Sequence, residues 1–376
     1  MRLLAKERET LEQFLPGLDA KLAAIPLQTL ESPGNQSLSM YKSAGGAGLL
    51  IPKIHGGKGA TAVQAALLTR ALASRSPSLA LATTMHQFSV ASLIALAESS
   101  DGPEWMLLDG IATEQRLMSS AFAEGHAGQS ILAPTMKAVW DGRNWRVTGK
   151  KQPCSLARSM DLLTTSLQLE HPEKGVSVGV ALIPAQSPGI SVEPFWSSWI
   201  LGGAESDAVI LQDVEVHPDL VFELDAELQS QDNDLQTLGY VWFEMLLTAC
   251  YLGVASALVE KVMASGRGTV QDRTSLCIQL ESSNLLVDAI ARNLDLGDFG
   301  KDALSRALIT RFAAADNIQA IVAKSVELLG GMAFIRSSDV SYLASATHAI
   351  GFHPPSRNSA MQSLLHWYEG QQWVMV

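Results

Sequence analysis

The chain has 376 residues, 17% of them charged and 47% hydrophobic, a balance that excludes intrinsic disorder and allows a large core shared by two or three domains. The formal net charge of −11 leaves no electrostatic footprint for nucleic acid and argues against an anionic membrane surface. Three cysteines, Cys154, Cys250 and Cys277, suggest a reducing compartment, and the charged opening Met1–Phe14 does not read as a secretory signal, so a cytosolic protein is expected.

Residues 1–112 read as a helical domain. Leu3, Leu4, Leu11, Phe14 and Leu15 mark an amphipathic opening helix. Gly45–Gly59 is a glycine-rich turn region without the spacing of a phosphate loop. Ala60–Leu96 is rich in Ala and Leu, and Ser76-Pro77 divides it into two helices; the lone His86 in the second reads as structural. Residues 113–224 alternate and are punctuated by turns, with strands expected at Arg116–Ala123, Lys137–Trp140, Trp145–Thr148, Met160–Glu170, Val176–Pro184, Ile190–Pro194 and Ala208–Val216. Asp141-Gly142-Arg143-Asn144 is the hairpin signal between the second and third. Residues 225–376 return to helix, over Thr237–Val262, Arg273–Asn293, Gly300–Leu329 and Ser356–Trp373. The expected fold is α+β: an N-terminal helical domain, a middle β-barrel or sandwich domain and a C-terminal four-helix bundle.

Thr237–Val262 is apolar on every face, as a buried helix is, and Glu244 sits inside it. A carboxylate in such surroundings needs a partner or a raised pKa. Two readings are open: a catalytic or ligand-facing acid, or a salt bridge to an Arg or Lys of a neighbouring helix. Metal catalysis is not expected, because the eight histidines are scattered and no paired-cysteine spacing occurs. No glycine fingerprint for a dinucleotide follows a strand.

The order of regions and several local stretches resemble the acyl-CoA dehydrogenase flavoprotein superfamily. Gly48-Leu49-Leu50-Ile51-Pro52 with His55-Gly56-Gly57 is similar to its N-terminal domain, and Ser119–Ser130 to the β segment that wraps the flavin. Asn144–Cys154 resembles the strand of pattern W-x-x-x-G-x-K that ends beside the flavin ring, and Leu329–Phe334 the segment near the adenosine and pyrophosphate. The resemblance implies FAD, an acyl thioester substrate on CoA or a carrier protein, and a homodimer or homotetramer. Carried over by position, the flavin contacts are Phe122, Ala123 and Ser130, then Pro153, Cys154 and Ser155 beside the ring. Arg267 or Arg273 would meet the pyrophosphate, and Gly330 and Gly331 would approach as backbone, since glycine permits close approach and arginine pairs bidentately.

The chain departs from the superfamily at the base. Most members carry Tyr-Glu-Gly-Thr after the double glycine, and in that register Pro354 takes the place of the Glu. Tyr368-Glu369-Gly370 imitates the motif too late in the chain. Members like the isovaleryl-type dehydrogenases place the base on the central bundle helix; there the strict count falls on Phe243, one residue from Glu244. With Glu244 as base, the implied reaction is α,β-dehydrogenation of an acyl or aminoacyl thioester, with hydride passing to the flavin. The alternatives are a flavin-dependent monooxygenase or oxidase, with His353 as a proton donor, and a relative that has lost catalysis and serves as a binding or assembly subunit.

Overall fold

The computed structural model describes residues 2–99, 102–124, 134–223 and 235–371. The chain is an α+β protein with helical N- and C-terminal regions and one sheet between them. The first region holds α1 (Ala5–Phe14), α2 (Leu18–Ala23), α3 (Leu27–Leu30), α4 (Ser37–Ser43), α5 (Ala62–Arg75), α6 (Pro77–Ser99) and α7 (Glu104–Glu114). Helix α5 starts at a capping box, in which Thr61 accepts from Gln64 N and the Gln64 side chain returns the bond. Proline at the first position of α6 separates it from α5, where the sequence placed the break.

The middle region supplies β1 (Met118–Ala121), β2 (Lys137–Trp140), β3 (Trp145–Cys154), β4 (Leu162–His171), β5 (Gly175–Pro184), β6 (Ile190–Glu193), β7 (Asp207–Val216) and β8 (Val221–Glu223). Among the described residues they form one sheet in the order β6-β7-β3-β2-β4-β5-β8. Strands β1 and β2 share one edge of β4 in succession, both parallel to it, β1 along Leu162–Thr165 and β2 along Gln168–Glu170. The hairpin turn holds as expected: Asp141 Oδ1 accepts from Arg143 N at 2.9 Å and Asn144 N at 2.8 Å.

The last region contains α8 (Leu235–Ser265), α9 (Val270–Asp295), α10 (Lys301–Leu329), α11 (Gly331–Arg336), α12 (Ser338–Ala346) and α13 (Arg357–Tyr368). Helix α8 is long and apolar enough to cross a membrane, but 94% of its apolar window is buried within the protein. It packs on α10 and α9 of its own region and as extensively on α5 and α6 of the first, so one core runs through both helical regions. Gly253 sets the distance between α8 and α5. A Cβ there would lie 2.4 Å from Arg70 O and 2.7 Å from Ala73 Cβ. Gly253→Val is expected to lower stability by about 1–3 kcal/mol through overpacking, read as a lower urea midpoint.

One carboxyl joins all three regions. Glu31, fully buried, accepts from Ser76 Oγ at 2.6 Å, from Ser78 N and Oγ at the start of α6, and from the Tyr342 hydroxyl of α12. The Tyr342 oxygen in turn accepts from Leu201 N, in the segment between β6 and β7, at 2.9 Å.

Candidate functional site

A row of rings crosses from the sheet to the C-terminal helices. Phe122, just after β1, lies 6.5 Å from Phe88 of α6; Phe88 lies 5.4 Å from Phe243 of α8; and Phe243 lies 6.3 Å from His353, in the loop before α13. Phe243 meets Phe88 and His353 edge to face, at 74° and 67°. Phe88, Phe122 and His353 are each partly exposed.

Tyr251, on the same helix as Phe243, closes the row with its hydroxyl 2.8 Å from His353 Nε2. Burial and the charge of Arg311 hold His353 down at about 3, so the ring is neutral. Burial raises the Tyr251 hydroxyl well above its ordinary range, so it keeps its proton. When Tyr251 donates to Nε2, the imidazole proton sits on Nδ1. Nδ1 has no hydrogen-bond partner among the described residues. In that tautomer the neutral ring offers an N–H at Nδ1; in the other, with Nε2–H donating to the Tyr251 oxygen, Nδ1 is an acceptor.

Glu244 is not on this row. Its carboxylate is 0% exposed and lies 3.0 Å from the Arg311 Nε of α10. The pair lacks hydrogen-bond alignment, and neither carboxylate oxygen has a hydrogen-bond partner among the described residues. Burial pushes Glu244 up to about 7 although the guanidinium pulls it down. Arg311 spends its other nitrogens on the loop that carries His353, donating to the carbonyls of His353, Pro354 and Pro355. A base must reach its substrate, and this carboxylate is enclosed. The salt-bridge reading of Glu244 thus replaces the catalytic one. The step of one residue along α8 turns a side chain by about 100°, which points Phe243 at the rings and Glu244 at Arg311. Glu369 is exposed at the end of α13.

Two further buried groups brace the sheet end of the row. His86 accepts from Met118 N at Nδ1 (3.0 Å), and its Nε2 lies 2.9 Å from Ala47 O, tying α6 to β1. Burial lowers His86 to about 4 from 6.5. The unfolded chain therefore binds a proton between those two pH values that the folded chain does not, and stability falls as pH drops through that window. The loss is expected to be about 3 kcal/mol, and His86→Gln should flatten the acid limb of urea midpoints measured against pH. Lys151, 0% exposed, reaches Glu124 at 2.7 Å and Ser166 Oγ at 3.1 Å. Glu124 also accepts from Thr135 N at 2.9 Å, so the pair fixes the chain beyond Phe122 against β2 and β3.

No protein-family model matches the chain. Among curated proteins it is similar to isobutylamine N-hydroxylase of Streptomyces viridifaciens, 44% identical over 373 residues that cover 98% of this chain and 99% of the relative. It is also similar to the putative acyl-CoA dehydrogenase YdbM of Bacillus subtilis, 24% identical over 229 residues, 59% of this chain and 56% of the relative. Among solved structures, KijD3 in complex with FMN and dTDP-3-amino-2,3,6-trideoxy-4-keto-3-methyl-D-glucose superposes with a TM-score of 0.86 at 16% identity, covering 98% of this chain and 95% of that one. The chain belongs to the acyl-CoA dehydrogenase flavoprotein superfamily.

The segments expected from the resemblance to hold the flavin come together at the sheet end of the row. Gln152 N donates to Ala123 O at 2.9 Å, Ser119 Oγ to Ser155 O at 2.6 Å, and the Ser155 and Ser206 hydroxyls lie 3.0 Å apart. Phe122, Ala123 and Ser155 are half-buried, Pro153 is exposed, and Cys154 is buried with its thiol pushed up to about 12. Gln152 Oε1 is buried without a partner among the described residues, an acceptor suited to an N–H of a flavin ring. Ser130 lies outside the described residues. Arg267, Gly330 and Gly331 form a second group at the end of α10, where Arg267 donates to Leu329 O beside Gly330, whose φ is +77°. Arg273 is half-buried, near Gly266, and a Cβ on Gly331 would meet nothing within 4 Å. These residues fit a flavin. Sequence reasoning missed Phe88, Tyr251's contact with His353, and Arg311; the first lies in an unremarkable apolar helix, and the others depend on pairings across distant elements.

Proposed function

We propose that the chain is a flavin-dependent monooxygenase that hydroxylates the nitrogen of a small primary amine. The similarity to isobutylamine N-hydroxylase along nearly the whole of both chains is the observation that carries this reading. The site supports it. Both positions at which the superfamily places a base hold other residues, Phe243 and Pro354, and Glu244 is closed in by Arg311. Dehydrogenation of an acyl thioester lacks its base here.

In N-hydroxylation one atom of dioxygen becomes the hydroxyl on nitrogen and the other leaves as water. Reduced flavin, as FAD or FMN, supplies the two electrons and two hydrogens that balance the reaction. Phe122, Ala123 and Gln152–Ser155 would hold the ring, with Gly330, Gly331 and Arg267 or Arg273 toward its phosphate. This chain's rings exclude water from the reacting centre, and His353, paired with Tyr251 through Nε2, presents its Nδ1 there. Exposed apolar residues on α9 (Ile278, Leu285) and α13 (Met361, Leu365) support a homo-oligomer, and the three free cysteines suit the cytosol.

The test is to mix purified protein with chemically reduced flavin, ¹⁸O-labelled dioxygen and isobutylamine, and to follow products by mass spectrometry. An N-hydroxylamine carrying one labelled oxygen is expected. An unsaturated product from a panel of acyl thioesters, with no oxygenated amine, would return the site to dehydrogenation.

A further inference from the structure

We infer that Ser206 is a positioning residue for the flavin, holding the hydroxyl of Ser155 in place for the ring. The inference rests on the flavin part of the reading above.

Strand β3 ends at Cys154, and the turn that follows is tied backbone to backbone to the turn before β7. Leu156 N donates to Ala204 O at 3.0 Å, and Ala157 N to Glu205 O at 3.2 Å. Leu156 and Glu205 both hold positive φ, +65° and +54°, a left-handed conformation that residues other than glycine seldom adopt. Such backbone persists where surrounding contacts over-determine it, and it clusters at functional sites. Here it sets the two turns face to face. Ser155 and Ser206, the neighbours of Leu156 and Glu205, meet hydroxyl to hydroxyl at 3.0 Å. From β1, Ser119 Oγ donates to the Ser155 carbonyl at 2.6 Å and fixes the backbone there. The two serines differ in exposure: Ser206 is 5% exposed and Ser155 is half-buried. Ser206 is thus the inner member, and Ser155, which the resemblance places beside the ring, is the outer one. An isolated serine samples three χ1 wells. The bond to Ser206 favours one of them, whichever hydroxyl donates. A hydroxyl has one donor and two acceptor sites, so Ser155 keeps capacity for a ring group after pairing with Ser206. Hydrogen bonds to the ring tune its electronics, because reduction adds hydrogens and electron density to the ring nitrogens. A hydroxyl held in one rotamer therefore distinguishes the oxidised from the reduced ring, and a free rotor averages much of that difference away.

The experiment measures dissociation constants of FMN and of FAD, each oxidised and chemically reduced under anaerobic conditions. The proteins compared are the unaltered chain, Ser155→Ala, Ser206→Ala, the double variant and Ser206→Thr. Ser206→Ala is expected to change the ratio of oxidised to reduced constants roughly three- to tenfold, the worth of one hydrogen bond, in the same direction as Ser155→Ala. Tenfold in that ratio is about 30 mV in the two-electron potential of the bound flavin. Because Ser206 acts through Ser155, the double variant should match Ser155→Ala alone. Ser206→Thr keeps a hydroxyl and should keep the original ratio. A merely structural loss would weaken both flavin states together and leave the ratio unchanged. That result, or additive effects in the double variant, overturns the inference. Failure of the N-hydroxylase reading looks different: the ratio shifts as expected while the unaltered chain yields no hydroxylamine. A chain that binds neither flavin in either state overturns both.

Discussion

Arg311→Met is expected to destabilise the fold by about 3–5 kcal/mol, among the largest losses that a single substitution in this protein would produce. The guanidinium is 2% exposed and has two kinds of partner, the Glu244 carboxylate and the carbonyls of residues 353–355. Its removal strands both. The two roles separate in a cycle. Glu244→Leu combined with Arg311→Met removes both members of the ion pair and should recover most of the lost stability in urea titrations, because apolar replacements of a buried pair are often neutral. The double variant should still be slow in turnover, since the carbonyls of residues 353–355 then lose their guanidinium donor. Unchanged urea midpoints in Arg311→Met would show that the pair is not a structural clamp. Recovery of turnover in the double variant would show that the carbonyl contacts do not matter.

His353→Phe is the second large effect. It keeps a ring against Phe243 and removes the imidazole that pairs with Tyr251. Hydroxylamine formation is expected to fall at least about a hundredfold, the scale of a lost hydrogen-bonding or proton-handling group at a reacting centre. Oxygen uptake should continue, with hydrogen peroxide released in place of product. Tyr251→Phe, which leaves the imidazole in place and frees its tautomer, should give a smaller loss of the same kind. Full coupling of oxygen uptake to product in His353→Phe would remove the residue from the reaction.

The sequence carried the regions and the oddity of Glu244, because both depend on local pattern. An apolar run around one acid is visible in Thr237–Val262, and Asp141–Asn144 announces its hairpin by turn chemistry alone. Strand β8, Val221–Glu223, is too short for alternation to register. Helices α11 and α12 were missed for a similar reason, since six and nine residues hardly establish a period. The partner of Glu244 lies on another helix, and no spacing within α8 indicates Arg311. The row of rings draws Phe88, Phe122, Phe243 and His353 from four separate stretches. Only packing brings them together, and packing also decides that Phe243 rather than Glu244 faces the other rings.

The Glu31 carboxyl bears on how the molecule opens. Its oxygens take bonds from Ser76, Ser78 and Tyr342, and Tyr342 holds Leu201. Detaching the N-terminal segment, the β6–β7 segment or α12 leaves a buried oxygen or hydroxyl without its partner. Partial unfolding that frees one of these pieces while the rest stays folded is therefore penalised, and the three regions behave as a single cooperative unit. Amide hydrogens at Ser78 and Leu201 should exchange with solvent at matched rates, in one shared event.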